Sequence, residues 1–140
     1  MRRRVADGLV AGTVAAVWSG IPSTVHALVT RRNVMDTVRA AGSIAVPNGS
    51  GAAQIAASPL VHAVMSLGWG VALSFVLPRR QAALWGAVAG LAIGALDLGI
   101  VAKRKFPQIA ALPQWPQYAD HAAYGAVVGW VLERRAQRAR

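Results

Sequence analysis

Three histidines and two aspartates interrupt or border long apolar stretches of the chain, where a charged side chain is costly unless it is paired or hydrated. They are His26, His62, Asp97, Asp120 and His121. Rows of small residues spaced by three or four lead to these positions, so all five are expected to meet at one level if neighbouring helices run antiparallel. We refer to these five residues as the polar cluster.

These side chains suit either a metal site or a relay for protons or solutes. Four of them carry the donor atoms of a metal site: His26, His62, Asp97 and His121. Imidazole nitrogen and carboxylate oxygen suit zinc or another divalent cation, and the chain has no cysteine that would supply thiolate ligands. A proton or solute relay would use the same groups, because imidazole titrates near neutral pH. The spacing matches no recognised metal motif.

A hydrolytic site and a ligand-free network are the other interpretations. Hydrolysis would need Ser23 or Ser66 within about 3 Å of a histidine base. The sequence contains no nucleophile elbow, phosphate loop or His-Glu-x-x-His motif. A network would pair Asp97 with a histidine or a nearby cation and would use Asp120 to cap the last helix. We expect the network, without catalytic residues.

Four apolar segments must position the polar cluster. Blocks of Ala, Val, Leu and Gly replace the alternation that is typical of soluble domains, and 55% of the residues are hydrophobic. The predicted spans are residues 5–29, 59–77, 81–102 and 117–133. The fourth span reaches the required length of about 20 residues only if it begins just after Pro116 and carries Asp120 and His121 into the membrane. The sequence predicts an all-α integral membrane four-helix bundle, with residues 1–140 as one domain.

A short amphipathic helix is predicted between the first two spans, over residues 33–45. Asn33 can cap this helix, Asp36 follows three residues later, and small apolar residues then fall along one side. We expect the helix to lie at the membrane interface. A flexible loop at residues 47–51 follows it, because Pro, Asn, Gly and Ser dominate there.

Rows of small residues predict where the helices touch, because helices associate in lipid through close backbone approach. The rows are Gly8 and Gly12; Gly86, Gly90 and Gly94; and Gly125 and Gly129. The same rows could instead join copies of the chain in a homo-oligomer or bind another membrane protein.

A two-helix unit is repeated along the chain. Residues 8–12 resemble residues 86–90, residues 54–59 resemble residues 108–113, and His62-Ala63 is matched by His121-Ala122. Three matches in the same order predict a 2+2 internal repeat, with both halves inserted in the same direction.

The 15 Lys and Arg residues give the chain a net charge of +10 and lie mostly at the ends of the apolar blocks. This distribution is typical of a membrane protein whose cations set its orientation. We therefore expect no nucleic-acid partner. Nine cations face the cytoplasm if both termini do: Arg2, Arg3, Arg4, Arg79, Arg80, Arg134, Arg135, Arg138 and Arg140. The six on the other side are Arg31, Arg32, Arg39, Lys103, Arg104 and Lys105. The positive-inside rule therefore favours cytoplasmic termini and puts the polar cluster near the outer face.

Two stretches resemble small multi-pass bacterial inner-membrane proteins that carry no assigned activity. They are residues 19–28, with the sequence Ser-Gly-Ile-Pro-Ser-Thr-Val-His-Ala-Leu, and residues 116–121, Pro-Gln-Tyr-Ala-Asp-His, followed by Tyr124-Gly125. The resemblance implies a bacterial inner-membrane setting and adds no catalytic residue.

These patterns predict a non-enzymatic membrane protein that acts as an accessory or scaffold element within the lipid bilayer. The alternative is a small transport or metal-binding protein that uses the polar cluster near the outer face. The two hypotheses differ in the effect of replacing Asp97 or His121. The first expects impaired folding and assembly, and the second expects lost metal or proton handling with an intact fold.

Overall fold

The computed structural model of the chain describes residues 1–138, and every regular element within that range is helical. The elements are α1 (Arg2–Trp18), α2 (Ile21–Val29), α3 (Met35–Gly42), α4 (Gly51–Val76), α5 (Ala82–Leu96), a π-helical turn (Asp97–Ala102), α6 (Lys103–Lys105), α7 (Pro107–Ala110) and α8 (Gln114–Gln137). Three helical runs are long and apolar enough to cross a membrane: Arg2–Val29, Gly51–Val76 and Ala82–Lys105. Their length and composition indicate a multi-pass membrane protein, and the all-α prediction is confirmed.

The first predicted span, residues 5–29, is one helical run with a bend at Ser19 and Gly20, between α1 and α2. Pro22 accounts for the bend, because its ring clashes with the carbonyl four residues earlier and it has no N–H to bond that carbonyl. Pro22 falls in the first turn of α2, where a missing N–H is tolerated. The bend leaves other N–H groups in the first turn of α2 in need of acceptors from elsewhere.

The predicted interfacial helix at residues 33–45 is observed as the shorter helix α3. The Asn33 side chain accepts a hydrogen bond of 2.9 Å from the N–H of Met35, and Asp36 pairs with Arg39 at 3.0 Å. One side of α3 packs on the beginning of α4, where a Cβ added to Gly42 would collide with the backbone of α4. This face of α3 therefore rests on protein and not on lipid.

α4 begins at Gly51, two turns before Pro59, so the helix extends beyond the start of the predicted span at residues 59–77. The Ser50 hydroxyl caps the helix by accepting a hydrogen bond of 3.2 Å from the N–H of Ala53. Packing of α3 stabilises the added turns, and Pro59 is accommodated inside the helix. His62 consequently lies about three turns into α4 instead of at its beginning.

The third predicted span, residues 81–102, is observed as the run Ala82–Lys105. Gln81 precedes it with a left-handed backbone, at φ 53°, which turns the chain after α4. The helix changes from α to π geometry over Asp97–Ala102. π-helical turns are rare and concentrate at functional sites, and this one begins at a residue of the polar cluster.

α8 forms the centre of the bundle. It packs mainly on α5 and α1 and makes smaller contacts with α2 and α4. Val128 is completely buried, and among the large apolar residues of α8 only Trp115 and Trp130 are exposed. The predicted fourth span, residues 117–133, lies within α8, but α8 is not among the three runs that are apolar enough to cross a membrane by composition.

The predicted glycine rows lie where the helices touch. Gly70 of α4 packs against α1, and a Cβ added there would lie 2.6 Å from the Gly8 carbonyl oxygen and 2.7 Å from the Gly12 Cα. Gly125 of α8 packs in the same way against Gly86 and the N–H of residue 90 in α5. Because ordinary contact begins at 3.4 Å, these helices approach too closely for any side chain larger than hydrogen.

The contact register corrects one predicted match between the two halves. A Cβ on Gly12 would meet the carbonyl of Ser66, whereas a Cβ on Gly90 would meet the carbonyl of His121. His121 therefore occupies the position that corresponds to Ser66, and its predicted match with His62 is wrong. The remaining small residues of the rows also lie at contacts, Gly94 against Tyr118 and His121, and Gly129 against Ala82.

Charged residues close the end of the bundle near Met1, which we call the basic end. Arg135 Nε donates a hydrogen bond of 2.5 Å to Asp7 Oδ1, and Arg4 donates one of 3.3 Å to a carbonyl near the end of α4. Glu133 accepts a hydrogen bond of 3.2 Å from the first N–H of α5. Arg140, which the sequence analysis counted with the cytoplasmic cations, lies outside the described residues.

Candidate functional site

Asp120 joins α8 to α2 at the bend in the first span. Its Oδ1 accepts a hydrogen bond of 2.9 Å from the backbone N–H of Ser23. Ser23 lies in the first turn of α2, so its N–H has no partner within the helix. A carboxylate at this position also meets the positive end of the helix dipole. The predicted cap on α8 itself is wrong, because α8 begins six residues before Asp120, at Gln114.

Asp97 and His121 join the π-helical turn to α8. Asp97 Oδ2 lies 3.7 Å from His121 Nε2, beyond hydrogen-bond length, so their attraction requires a protonated ring. His121 Nδ1 lies 2.8 Å from the Gln117 carbonyl oxygen, which can only accept, so Nδ1 carries a proton. With the ring protonated, Asp97 and His121 form the ion pair that a ligand-free network would use.

His62 and His26 make separate contacts. His62 Nε2 lies 2.9 Å from the carbonyl oxygen of Ala16 and so joins α4 to the last turn of α1. The His26 ring meets the Trp115 ring edge-on, with centroids 4.9 Å apart and an angle of 85° between the planes. Both imidazoles hold one helix against another. We call the end of the bundle that carries His26 the histidine end.

The four predicted metal ligands are not assembled. Within residues 1–138, no group of three or more His, Asp or Glu side chains is close enough to share a metal ion. Asp97 pairs with His121, while His62 and His26 are held by other partners. The physical reason is the register of the helices, because His121 lies opposite Gly90 of α5 whereas His62 contacts Ala16 of α1. The imidazoles therefore do not converge on one point.

One interhelical contact was missed by sequence reasoning. The Tyr124 hydroxyl of α8 donates a hydrogen bond to the backbone carbonyl of Ser66 in α4, and Tyr124 is only 8% exposed. A buried tyrosine hydroxyl needs a partner, but a backbone acceptor leaves no pattern in the sequence. In the part of the chain that the structure describes, no buried side-chain nitrogen or oxygen lacks a hydrogen-bond partner.

A cleft opens at the histidine end between α2, α3, α7 and the start of α8. Its volume is about 310 Å³. The polar residues around it are mainly Arg32, Asn33, Asp36, Arg39, Gln108 and Gln117, and His26 also lines it. We call this space the end cleft. Sequence analysis did not find it, because its residues come from four separate segments that only the folded chain brings together.

Comparison with known proteins gives no match to a family model, a curated protein or a solved structure. The resemblance to small bacterial inner-membrane proteins is thus not tied to a family. Three long apolar helical runs support the coarser statement that the chain is a multi-pass membrane protein in contact with lipid.

Proposed function

We propose that this protein is a four-span protein of the bacterial inner membrane that acts as a non-enzymatic accessory or scaffold element, with both termini in the cytoplasm. The hydrogen bond between Asp120 and the Ser23 N–H carries the proposal. A carboxylate within a span is costly unless it has a partner, and here Asp120 of the last helix caps another helix, α2. The other members of the polar cluster also bridge helices and do not surround a ligand. The cluster thus fixes the arrangement of the spans.

The central position of α8 supports a fourth crossing. A helix with a short apolar stretch is stable in a bilayer if protein, and not lipid, covers its polar residues. Asp120 and His121 are both partly covered, and neighbouring helices surround Val128 and Tyr124 completely or almost completely. The hydrocarbon therefore meets mainly the exposed apolar side chains of α1, α2, α4 and α5.

The glycine contacts support an origin by duplication. Gly70 packs on α1 as Gly125 packs on α5, and the two pairs, α1 with α4 and α5 with α8, are built alike. Each pair is a hairpin whose backbones touch, which provides a rigid frame without a large hydrophobic core. Assembly into a homo-oligomer, or binding to another membrane protein, remains a prediction.

Cysteine labelling tests the four crossings, since the chain has no native cysteine. Single cysteines replace Asn48 and Lys105 in the connections at the histidine end, and Arg80 and Arg138 at the basic end. A membrane-impermeant maleimide added to intact cells should label only the first pair, and the second pair should react after lysis. Equal labelling of positions 105 and 138 from one side would mean that α8 does not cross.

Stability and metal content together test the scaffold role. Asp97→Asn and His121→Ala should lower the melting temperature of the detergent-purified protein, because each weakens a contact between α8 and the π-helical turn. Arg104→Gln, an exposed position at the same end, is the matched control. Stoichiometric metal in the wild type that is lost from these two variants without a change in melting would overturn the scaffold role.

A further inference from the structure

The end cleft has the size and position of a ligand site. Its volume of about 310 Å³ falls at the lower end of the range for small-molecule sites. Small residues leave this space open, since Ala27, Ala40 and Ala111 line it alongside the polar groups. The scaffold role explains the polar cluster, but it does not require a cleft of this kind.

We propose that the end cleft binds a phosphate ester of net negative charge, held by the guanidinium group of Arg32 and by neighbouring side-chain amides. This inference goes beyond the scaffold role and does not depend on it. Arginine is suited to this ligand, because its planar fork of N–H groups matches two phosphate oxygens at once. Amide N–H groups can complete the shell of donors without adding charge.

The charges of the cleft favour an anion. Asp36 is already paired with Arg39 at 3.0 Å, so this pair contributes little net charge. Arg32 makes no ion pair within residues 1–138, and it lines the cleft. Arg32 is exposed, so its guanidinium is open to solvent at the cleft and attracts a singly charged group such as a phosphodiester.

The side-chain amides of the cleft have N–H groups that could donate to a ligand. Asn33 uses its side-chain oxygen to accept from Met35, and the hydrogen bonds of residues 1–138 do not engage its NH₂ group. The side chains of Gln108 and Gln117 likewise take part in no hydrogen bond in the described range. The residues that carry these three amides and the guanidinium all line the same cleft.

Membrane position points to a lipid as one source of the phosphate. Trp115 is 64% exposed beside His26, and tryptophans of this kind lie at the headgroup level. Val25 and Leu28 of α2 are exposed apolar residues just before the cleft, where an acyl chain would lie. A small soluble phosphate ester that enters from the aqueous side has the same anionic chemistry.

Native mass spectrometry of the full-length protein tests the site and identifies the source. The detergent-purified protein is titrated with phosphatidylglycerol, with phosphatidylcholine and with glycerol 3-phosphate. We expect an anionic phosphate ester to bind, and Arg32→Gln to weaken that binding about tenfold, the effect of one lost charge-assisted contact. Arg104→Gln is the matched control, because it removes an exposed cation at the same end without touching the cleft.

A second variant tests whether Arg32→Gln weakens binding only through a long-range loss of positive charge. Ala111→Phe fills the cleft and keeps every cation, so it should also weaken binding. Binding of phosphatidylglycerol that both variants weaken assigns a lipid headgroup, and binding of glycerol 3-phosphate that both variants weaken assigns a soluble ester. Equal binding of phosphatidylglycerol and phosphatidylcholine, or binding that Arg32→Gln and Arg104→Gln reduce equally, would overturn the proposal.

Discussion

Adding one methyl group at Gly86 should separate the two helices at the centre of the bundle. In α5, a Cβ at this position would collide with the carbonyl oxygen of Gly125 and would lie 2.8 Å from its carbonyl carbon. Ordinary contact begins at 3.4 Å, and the obstacle is backbone, so α5 and α8 must move apart by at least several tenths of an ångström. This movement would loosen every contact between α5 and α8.

The expected magnitude follows from a comparison with Gly68. A Cβ at Gly68, in the middle of α4, would have no atom within 4 Å. Both substitutions to Ala gain helix propensity of about 1 kcal/mol, so this gain cancels when the two variants are compared. Overpacking at Gly86 then costs about 1–3 kcal/mol. Gly86→Ala should therefore be less stable than Gly68→Ala by that amount.

Thermal unfolding in detergent, followed by tryptophan fluorescence and by the loss of monodisperse protein, measures this difference. Gly125→Ala should have a similar effect, and the double variant should lose less than the sum, because the first methyl group has already separated the helices. Gly86→Ala with a melting temperature equal to that of Gly68→Ala would refute the close approach of α5 and α8.

Substitutions at three further positions test other contacts. Asp120→Ala should lower the free energy of unfolding by about 1 kcal/mol, the usual contribution of an N-cap. Asp120→Asn should lower it less, because its side chain still offers an acceptor to the Ser23 N–H. Equal melting temperatures for the two variants would contradict this. Tyr124→Phe removes the donor to the Ser66 carbonyl and should cost about 1 kcal/mol in the same assay, whereas an unchanged melting temperature would discount that bond. Gly42→Ala should detach α3 from α4 and accelerate tryptic cleavage within α3, and digestion at the wild-type rate would show that α3 tolerates the methyl group.

Composition and spacing predicted the helices and most of their contacts. Long apolar blocks identify a helical membrane protein, because a bilayer requires about 20 apolar residues in each crossing. Glycines spaced by four mark close backbone approach, and Gly8, Gly12, Gly86 and Gly125 all lie at such contacts. These signals are local, so they can be found in a single sequence.

Partners and register across helices were not predictable in the same way. Pro59 marked a helix start in the sequence, but packing of α3 extends α4 beyond it. Asp120 was expected to cap its own helix, yet it caps α2, because the bend at Pro22 exposes an N–H nearby. A shift of one turn between helices also places His121 opposite Gly90 instead of level with His62. Such details depend on tertiary packing and leave no periodic signal.

The burial of α8 has a consequence for biosynthesis. This helix leaves the ribosome after the three apolar runs, and its apolar stretch, residues 122–132, is too short to enter lipid from the insertion machinery on its own. In the proposed four-span arrangement, the entry of α8 into the bilayer is then a folding step that needs a space already formed between α5 and α1. In that arrangement, substitutions in α5 that disturb its packing on α8 but leave its hydropathy unchanged would keep the C-terminal segment outside the bilayer, so a packing defect would be seen as an error of topology.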